Sequence, residues 1–188
     1  MSIEKFGESQ KSEIREPQSR GEREKERAKE KSKEIRKMLE RAITESLETA
    51  GLEKVGYSTW LRKIRNKFQL VYLQRSLYSN SYYIEAGICD AKDIPENEKP
   101  NVIHCNFRDR IESIVNEKNG KGRPEKEQLK KQNEVNDLLN FEKESKKYPA
   151  PIIDLDEAQK KIEALKNLVQ EYIPWWFDKN TFPKIEKK

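Results

Sequence analysis

Residues 58–89 read STWLRKIRNKFQLVYLQRSLYSNSYYIEAGIC, and they carry the clearest structural signal in the chain. Aromatic and β-branched residues alternate here with polar residues, which is typical of half-buried strands. The alternation predicts three strands, at 58–64, 68–76 and 82–89. Short polar connections separate them, and because such connections join antiparallel neighbours, the stretch predicts a meander.

An amphipathic helix is predicted on each side of these strands. Upstream, residues 34–50 place apolar side chains at the i, i+3, i+4 spacing of one helical stripe, and Gly51 follows as a stop signal. Downstream, Asp154 and Glu157 have the spacing of a capping box. The stripe behind them comprises Ala158, Ile162, Leu165, Val169 and Tyr172.

The end of the second helix is predicted from a proline. Pro174 disfavours a continuing helix, so we expect the helix to stop there. Trp175, Trp176 and Phe177 follow at once, and this much aromatic area is expected to pack on the sheet or cover an edge of the core.

The middle of the chain gives further expectations. Residues 101–107 predict a fourth strand, whose partner the sequence does not assign, and residues 108–115 predict a short helix. Residues 116–147 are polar and resemble an insertion. Within them a short amphipathic helix is expected to be lined by Leu129, Val135, Leu138, Leu139 and Phe141, and Ile152 with Ile153 allows a brief edge strand.

Helices around an antiparallel sheet define the fold class. We predict an α+β two-layer sandwich, with a meander of three to four strands covered by the N-terminal and C-terminal helices. Residues 34–177 form its single domain. Residues 1–33 are a charged extension, disordered or helical, because they offer almost no apolar area to bury. Residues 178–188 form a basic tail.

Composition narrows the classes of function. The 188 residues are 39% charged and 34% hydrophobic, and 39 basic against 34 acidic residues give a net charge of +5. Such near-balance indicates a solvated surface of mixed sign rather than a dedicated polyanion binder. No run of about 18 apolar residues is present, so we expect no membrane span and no secretion signal. The two cysteines are too few for a disulfide framework, which favours a cytoplasmic protein.

Catalytic and metal chemistry has few candidates. His104, Cys105 and Cys89 offer three zinc ligands or a Cys-His pair. Adjacent residues of a strand point to opposite faces, however, so His104 and Cys105 would not converge on one site. No phosphate-binding loop and no nucleophile elbow is present. We therefore predict no catalytic residue, no metal and no cofactor.

Polar residues near the strands are candidates for binding. If Gln74 faces inward with Phe68, Leu70 and Tyr72, it needs a hydrogen-bond partner, which Arg110 or a backbone carbonyl would supply. Such a network either fixes strand register or contacts a ligand or partner. The binding candidates are Gln74, Ser76, Arg108, Arg110, Trp175 and Trp176.

Five segments together resemble the bacterial domain of unknown function DUF4304. They are Leu52-Glu53-Lys54-Val55-Gly56 with Trp60, Leu73-Gln74-Arg75-Ser76, Glu85-Ala86-Gly87-Ile88, Arg108-Asp109-Arg110-Ile111 and Ile173-Pro174-Trp175-Trp176. The resemblance rests on their order and spacing and covers roughly residues 35–177. It implies an α+β intracellular domain without an assigned activity, some relatives of which look like immunity or defence-neighbourhood proteins.

Two functions follow as hypotheses. The first is a non-enzymatic module that binds another protein, in a bacterial immunity or defence setting, because charged appendages surround a well-patterned core and no catalytic constellation is visible. The alternative is a nucleic-acid-associated protein that uses Lys118, Lys121, Arg123 and the basic tail. Acidic residues interrupt each basic run, which favours a solvated face. The oligomeric state is left open.

Overall fold

A computed structural model of the chain describes residues 20–77, 79, 81–120, 125–141 and 154–181. The strands are β1 (Glu53–Lys54), β2 (Thr59–Ile64), β3 (Lys67–Arg75), β4 (Tyr82–Asp90) and β5 (Phe107–Arg110), and the helices are α1 (Arg20–Thr49), α2 (Ile111–Gly120), α3 (Glu125–Leu139) and α4 (Leu155–Thr181). The predicted α+β class is confirmed. None of the helices in these residues is long and apolar enough to cross a membrane.

The sheet is an antiparallel meander in the order β1-β2-β3-β4-β5. Trp60 pairs with Val71, Val71 with Ala86, and Ala86 with Asp109, so these four side chains share one face. The sequence analysis did not predict β1, because its two residues are exposed and carry no apolar alternation. The β2–β3 and β3–β4 hairpins follow from the short turns of the sequence, whereas the longer segment 91–106 connects β4 to β5.

The predicted helices cover one face of this sheet. Leu39, Ile43 and Leu47 of α1 and Leu165 and Val169 of α4 are fully buried in the main core. The sheet contributes Trp60, Val71, Leu73, Ile84 and Ala86 to the same core. Helix α1 begins at Arg20, so residues 20–33 of the charged extension continue the helix rather than form a loop. Residues 1–19 lie outside the described residues.

The strand expected at 101–107 is wrong. Val102–His104 form a 3-10 turn, whose start is capped by the Asn101 side chain as it accepts a hydrogen bond from the backbone N–H of Ile103. Val102 and Cys105, three residues apart, both pack onto the sheet, which is helical rather than strand spacing. The strand that does form in this region is β5, which starts at Phe107 and pairs with β4. Consequently the helix expected at 108–115 begins only at Ile111.

The helix end expected at Pro174 is also wrong, because α4 continues to Thr181. Proline removes one backbone donor and strains the preceding turn. Burial outweighs this cost: Trp176, Phe177 and Thr181 are all at least 98% buried. The predicted packing of the aromatic cluster against the core is therefore correct, although its residues belong to the helix.

Strand β3 presents the opposite face from the one expected. Gln69, Val71 and Leu73 face the helices, whereas Phe68, Leu70, Tyr72 and Gln74 alternate to the other side. Leu70 is nonetheless fully buried, because the segment around Val102 and Cys105 covers that end of the second face. Gln74 is exposed and Gln69 is the buried glutamine.

The insertion-like segment 116–147 contributes to the core. Val135, Leu139 and Phe141 are buried against it, as the predicted amphipathic helix requires. Leu129 is 55% exposed and does not line that face. The edge strand expected at Ile152 and Ile153 lies outside the described residues.

Candidate functional site

A cleft of about 520 Å³ lies at the end of the sheet where β4 begins and β5 ends. Helices α2 and α3 form its other walls, and its polar lining includes Arg110, Glu112, Ser113, Gln132, Asn136 and Asn140. The lining follows from local geometry. Arg110 is the last residue of β5 and Glu112 the second of α2. Gln132 and Asn136 are four residues apart, so they share one face of α3.

Glu112 is the buried charge of this cleft. It is only 6% exposed, because Ile111, Ile114 and Val115 anchor the same helix in the core. Its Oε2 has no hydrogen-bond partner among the described residues. Burial raises the pKa of the Glu112 carboxyl above its ordinary value, while its own backbone N–H and the Arg110 charge act in the opposite direction. The cleft therefore contains an acid with unused hydrogen-bonding capacity.

Arg110 joins the cleft to the open face of the sheet. Its Nε lies 3.3 Å from Oε1 of Glu85, and its guanidinium carbon lies 4.5 Å from the ring centroid of Tyr83. Tyr83 also lines the cleft. Stacking on Tyr83 and pairing with Glu85 hold the guanidinium beside the open face of the sheet, and Arg110 lines the same cleft as the buried Glu112.

Replacement of Glu112 by glutamine is expected to stabilise the protein by about 1 kcal/mol at pH 7, because it removes a buried carboxylate whose Oε2 has no hydrogen-bond partner among the described residues. The pKa of Glu112 is raised in the folded state, so its stabilising contribution is full below the ordinary value of 4.5 and is lost as pH rises through the folded pKa. Urea unfolding between pH 4 and pH 8 measures this: the advantage of Glu112→Gln should grow as pH rises. A constant difference would contradict the assignment.

Asp109 provides the control for that titration. Burial raises its pKa too, and the indole of Trp176 opposes the shift. Because Asp109 is present in both proteins, its contribution cancels in the difference between wild type and variant.

The sequence-predicted site residues fall into two groups. Gln74, Arg108 and Arg110 alternate onto the same open face of the sheet, where Gln74 pairs with Tyr83 and Glu85 with Arg110. Ser76 lies beyond the end of β3 and donates its backbone N–H to the carbonyl of Ser81 at 2.9 Å. Four of the predicted residues therefore lie on this face or at its end next to the cleft.

The tryptophans and Lys118 belong to the other group. Trp176 is buried in the core and Trp175 packs partly against it. Lys118 Nζ lies 3.0 Å from Oε1 of Glu171 and 4.6 Å from the ring centroid of Tyr172, so it joins α2 to α4. Lys121 and Arg123 lie outside the described residues.

The cysteines and the histidine do not form a shared site with three ligands. Nε2 of His104 lies 3.0 Å from Oε2 of Glu98, whereas Cys89 and Cys105 are buried free thiols. The two thiols interact, which lowers the pKa of Cys89 and raises that of Cys105. Gly87 makes room for Cys105, since a Cβ at position 87 would lie 2.7 Å from its Sγ. Within the described ranges, no group of three His, Cys, Asp or Glu residues is placed to hold a metal ion.

Sequence reasoning missed Glu112 and the amides of α3. An acidic residue in the first turn of a helix is ordinary, because it interacts favourably with the helix dipole. Only its position between Ile111 and Ile114 hinted at burial. Gln132 and Asn136 resembled any solvated helical face.

The comparisons with known proteins concern the same region of the chain. Residues 43–179 match DUF4304, a domain of unknown function, and the match spans well over half of the chain. No curated protein and no solved structure matches the sequence. The matched range contains all five strands, the cleft and the described part of the open sheet face. The chain therefore belongs to the DUF4304 family.

Proposed function

We propose that this protein is a non-enzymatic binding module that recognises an extended, acidic segment of another protein along strand β5. The observation that carries the proposal is the open edge of the sheet. In the part of the chain that the structure describes, β5 is the last strand in the sheet order, and all four of its residues are exposed. An edge strand offers unpaired backbone groups to which a partner strand adds.

The side chains of β5 give this edge a chemical preference. Arg108 and Arg110 lie two residues apart and therefore project to the same side, where a partner strand with acidic residues at alternate positions would meet them. Phe107 is 58% exposed and gives an apolar contact at the start of the strand. Charge complementarity with Arg108 and Arg110 thus supports an acidic partner.

The opposite edge is a poorer docking strand. β1 has only two residues, and Lys54 is held by Glu40, with Nζ and Oε2 3.2 Å apart. A two-residue strand offers too few backbone groups for a stable added strand. The proposal therefore uses β5 alone.

The biological setting is part of the proposal. The free thiols of Cys89 and Cys105 support a cytoplasmic location, where thiols stay reduced. A role in bacterial immunity or defence would fit a module that recognises one protein partner. Nucleic-acid binding through Lys118 is less well supported, because acidic residues interrupt the basic run to which it belongs.

A peptide-library screen with the purified full-length protein tests the proposal. We expect enrichment of peptides with acidic residues at alternate positions. Fluorescence anisotropy should then show that Arg108→Glu lowers the affinity for a selected peptide at least tenfold. Lys37→Glu, the same charge reversal at an exposed position of α1, is the matched control and should change affinity less than about twofold.

Two results would overturn the proposal. One is a screen that enriches no such peptide, or peptides whose binding ignores Arg108→Glu. The other is binding to single-stranded RNA or DNA oligonucleotides that falls steeply with salt and is equally insensitive to Arg108→Glu, which would favour a nucleic-acid function.

A further inference from the structure

The cleft beside β5 has a second property that strand addition does not use. Glu112 is more than nine-tenths buried at its wall, with Oε2 unpartnered among the described residues. A buried carboxylate oxygen without a donor keeps a desolvation cost, which the backbone N–H of Glu112 and the Arg110 charge offset only in part. A buried polar group without a partner is typical of a site where a ligand supplies the missing donor.

The other polar groups restrict what that ligand is. Arg110 lines the same cleft as Glu112, and its Nε donates to Oε1 of Glu85 at 3.3 Å. An inorganic anion would be repelled by Glu112, and a divalent cation or a polyamine would offer no acceptor to the terminal N–H groups of Arg110. A molecule with one positive and one negative group a few bonds apart satisfies both.

The remaining lining fits a polar body between those charges. Gln132 and Asn136 present amides from α3, and Ser113 adds a hydroxyl from α2. Amides both donate and accept hydrogen bonds, so they suit an uncharged polar side chain. The volume of about 520 Å³ lies within the usual range of small-molecule sites.

We propose that this cleft binds a free polar α-amino acid, with the ammonium group on Glu112 and the carboxylate on Arg110. The ammonium supplies the donor that Oε2 lacks, and the terminal nitrogens of the guanidinium donate to the carboxylate in the paired geometry that arginine favours. The site is separate from the backbone edge of β5 and shares only Arg110 with the peptide surface.

The test uses the full-length wild-type protein and the standard L-amino acids. Thermal-shift measurements followed by isothermal titration calorimetry at pH 7 should find a polar amino acid that binds. The N-acetyl and carboxamide derivatives of that amino acid should each bind at least tenfold more weakly, because each removes one of the two charges.

Variants separate this site from a general loss of structure. Glu112→Gln should lower the affinity for the amino acid at least thirtyfold. The variant should stay folded, since we expect the variant to be more stable than wild type. Glu48→Gln, at an exposed position of α1, is the matched control and should bind normally. Arg108→Glu should leave the affinity for the amino acid unchanged, which distinguishes this site from the peptide surface.

The proposal fails if no standard amino acid binds at about 10 mM, a concentration well above the weakest affinity of biological interest. It also fails if Glu112→Gln binds as tightly as wild type. Binding of Mg²⁺, spermidine or inorganic phosphate in place of every amino acid would equally overturn it, because each lacks one of the two charges that the cleft would recognise.

Discussion

Replacement of Phe177 by alanine is expected to lower the free energy of unfolding by about 3–5 kcal/mol, the usual cost of emptying a core site of this size. Phe177 is fully buried although it follows Pro174 in α4. Its ring lies 5.6 Å from that of Trp176, centroid to centroid, in an edge-on arrangement. The loss combines the transfer of an aromatic ring with the cavity left behind.

Urea unfolding at neutral pH measures this loss, and Asp178→Ala is the matched control. Asp178 is the next residue of α4 but is exposed, so its replacement should change stability by less than about 0.5 kcal/mol. If Phe177→Ala were as mild as Asp178→Ala, Phe177 would not be packed in the core, contrary to its burial in the structure.

Replacement of Gln69 by leucine is expected to cost about 2–4 kcal/mol, because it breaks a buried chain of hydrogen bonds. Gln69 is 1% exposed. Its Oε1 accepts a bond from Nε of Arg62 at 2.8 Å, and its Nε2 donates to Oγ1 of Thr181 at 2.5 Å. Nη1 of Arg62 also donates to the carbonyl of Ala50. These hydrogen bonds thus join the ends of α1 and α4 to β2 and β3.

A double-mutant cycle separates the hydrogen bond from packing. Thr181→Val removes the partner hydroxyl, so the double variant with Gln69→Leu should lose less than the sum of the two single losses. Gln74→Leu is the control, because it makes the same change on the exposed face of the same strand and should cost less than about 0.5 kcal/mol. Additive losses would show that Gln69 and Thr181 do not interact.

The start of α2 contributes residues both to the cleft and to the core. Ile111, Ile114 and Val115 bury one face of α2, and this fixes Glu112 where β5 turns into the helix. Trp176 of α4 lies beside Asp109 of β5. The stability measurements should therefore precede binding measurements for any variant in α2 or in the last turns of α4.

Local patterns determined much of the architecture. The stripe of α1, the stripe at the start of α4 and the three runs of the meander each repeat within a few residues, so the sequence alone places them. The order of segments such as Arg108-Asp109-Arg110-Ile111 also sufficed for the family. Gln74, Arg108 and Arg110 were found as polar residues beside strands, without knowledge of their common face.

Contacts between distant segments decided the rest. Which glutamine of β3 is buried depends on the helices above one face and on Val102 and Cys105 below the other. Pro174 stays inside a helix because Phe177 and its neighbours are buried on the sheet, a free-energy gain that no local signal contains. Glu112 becomes a buried acid because Ile111, Ile114 and Val115 anchor the start of α2 in a core built from distant segments. Periodicity records which residues share a side of one element, whereas burial depends on what covers that side.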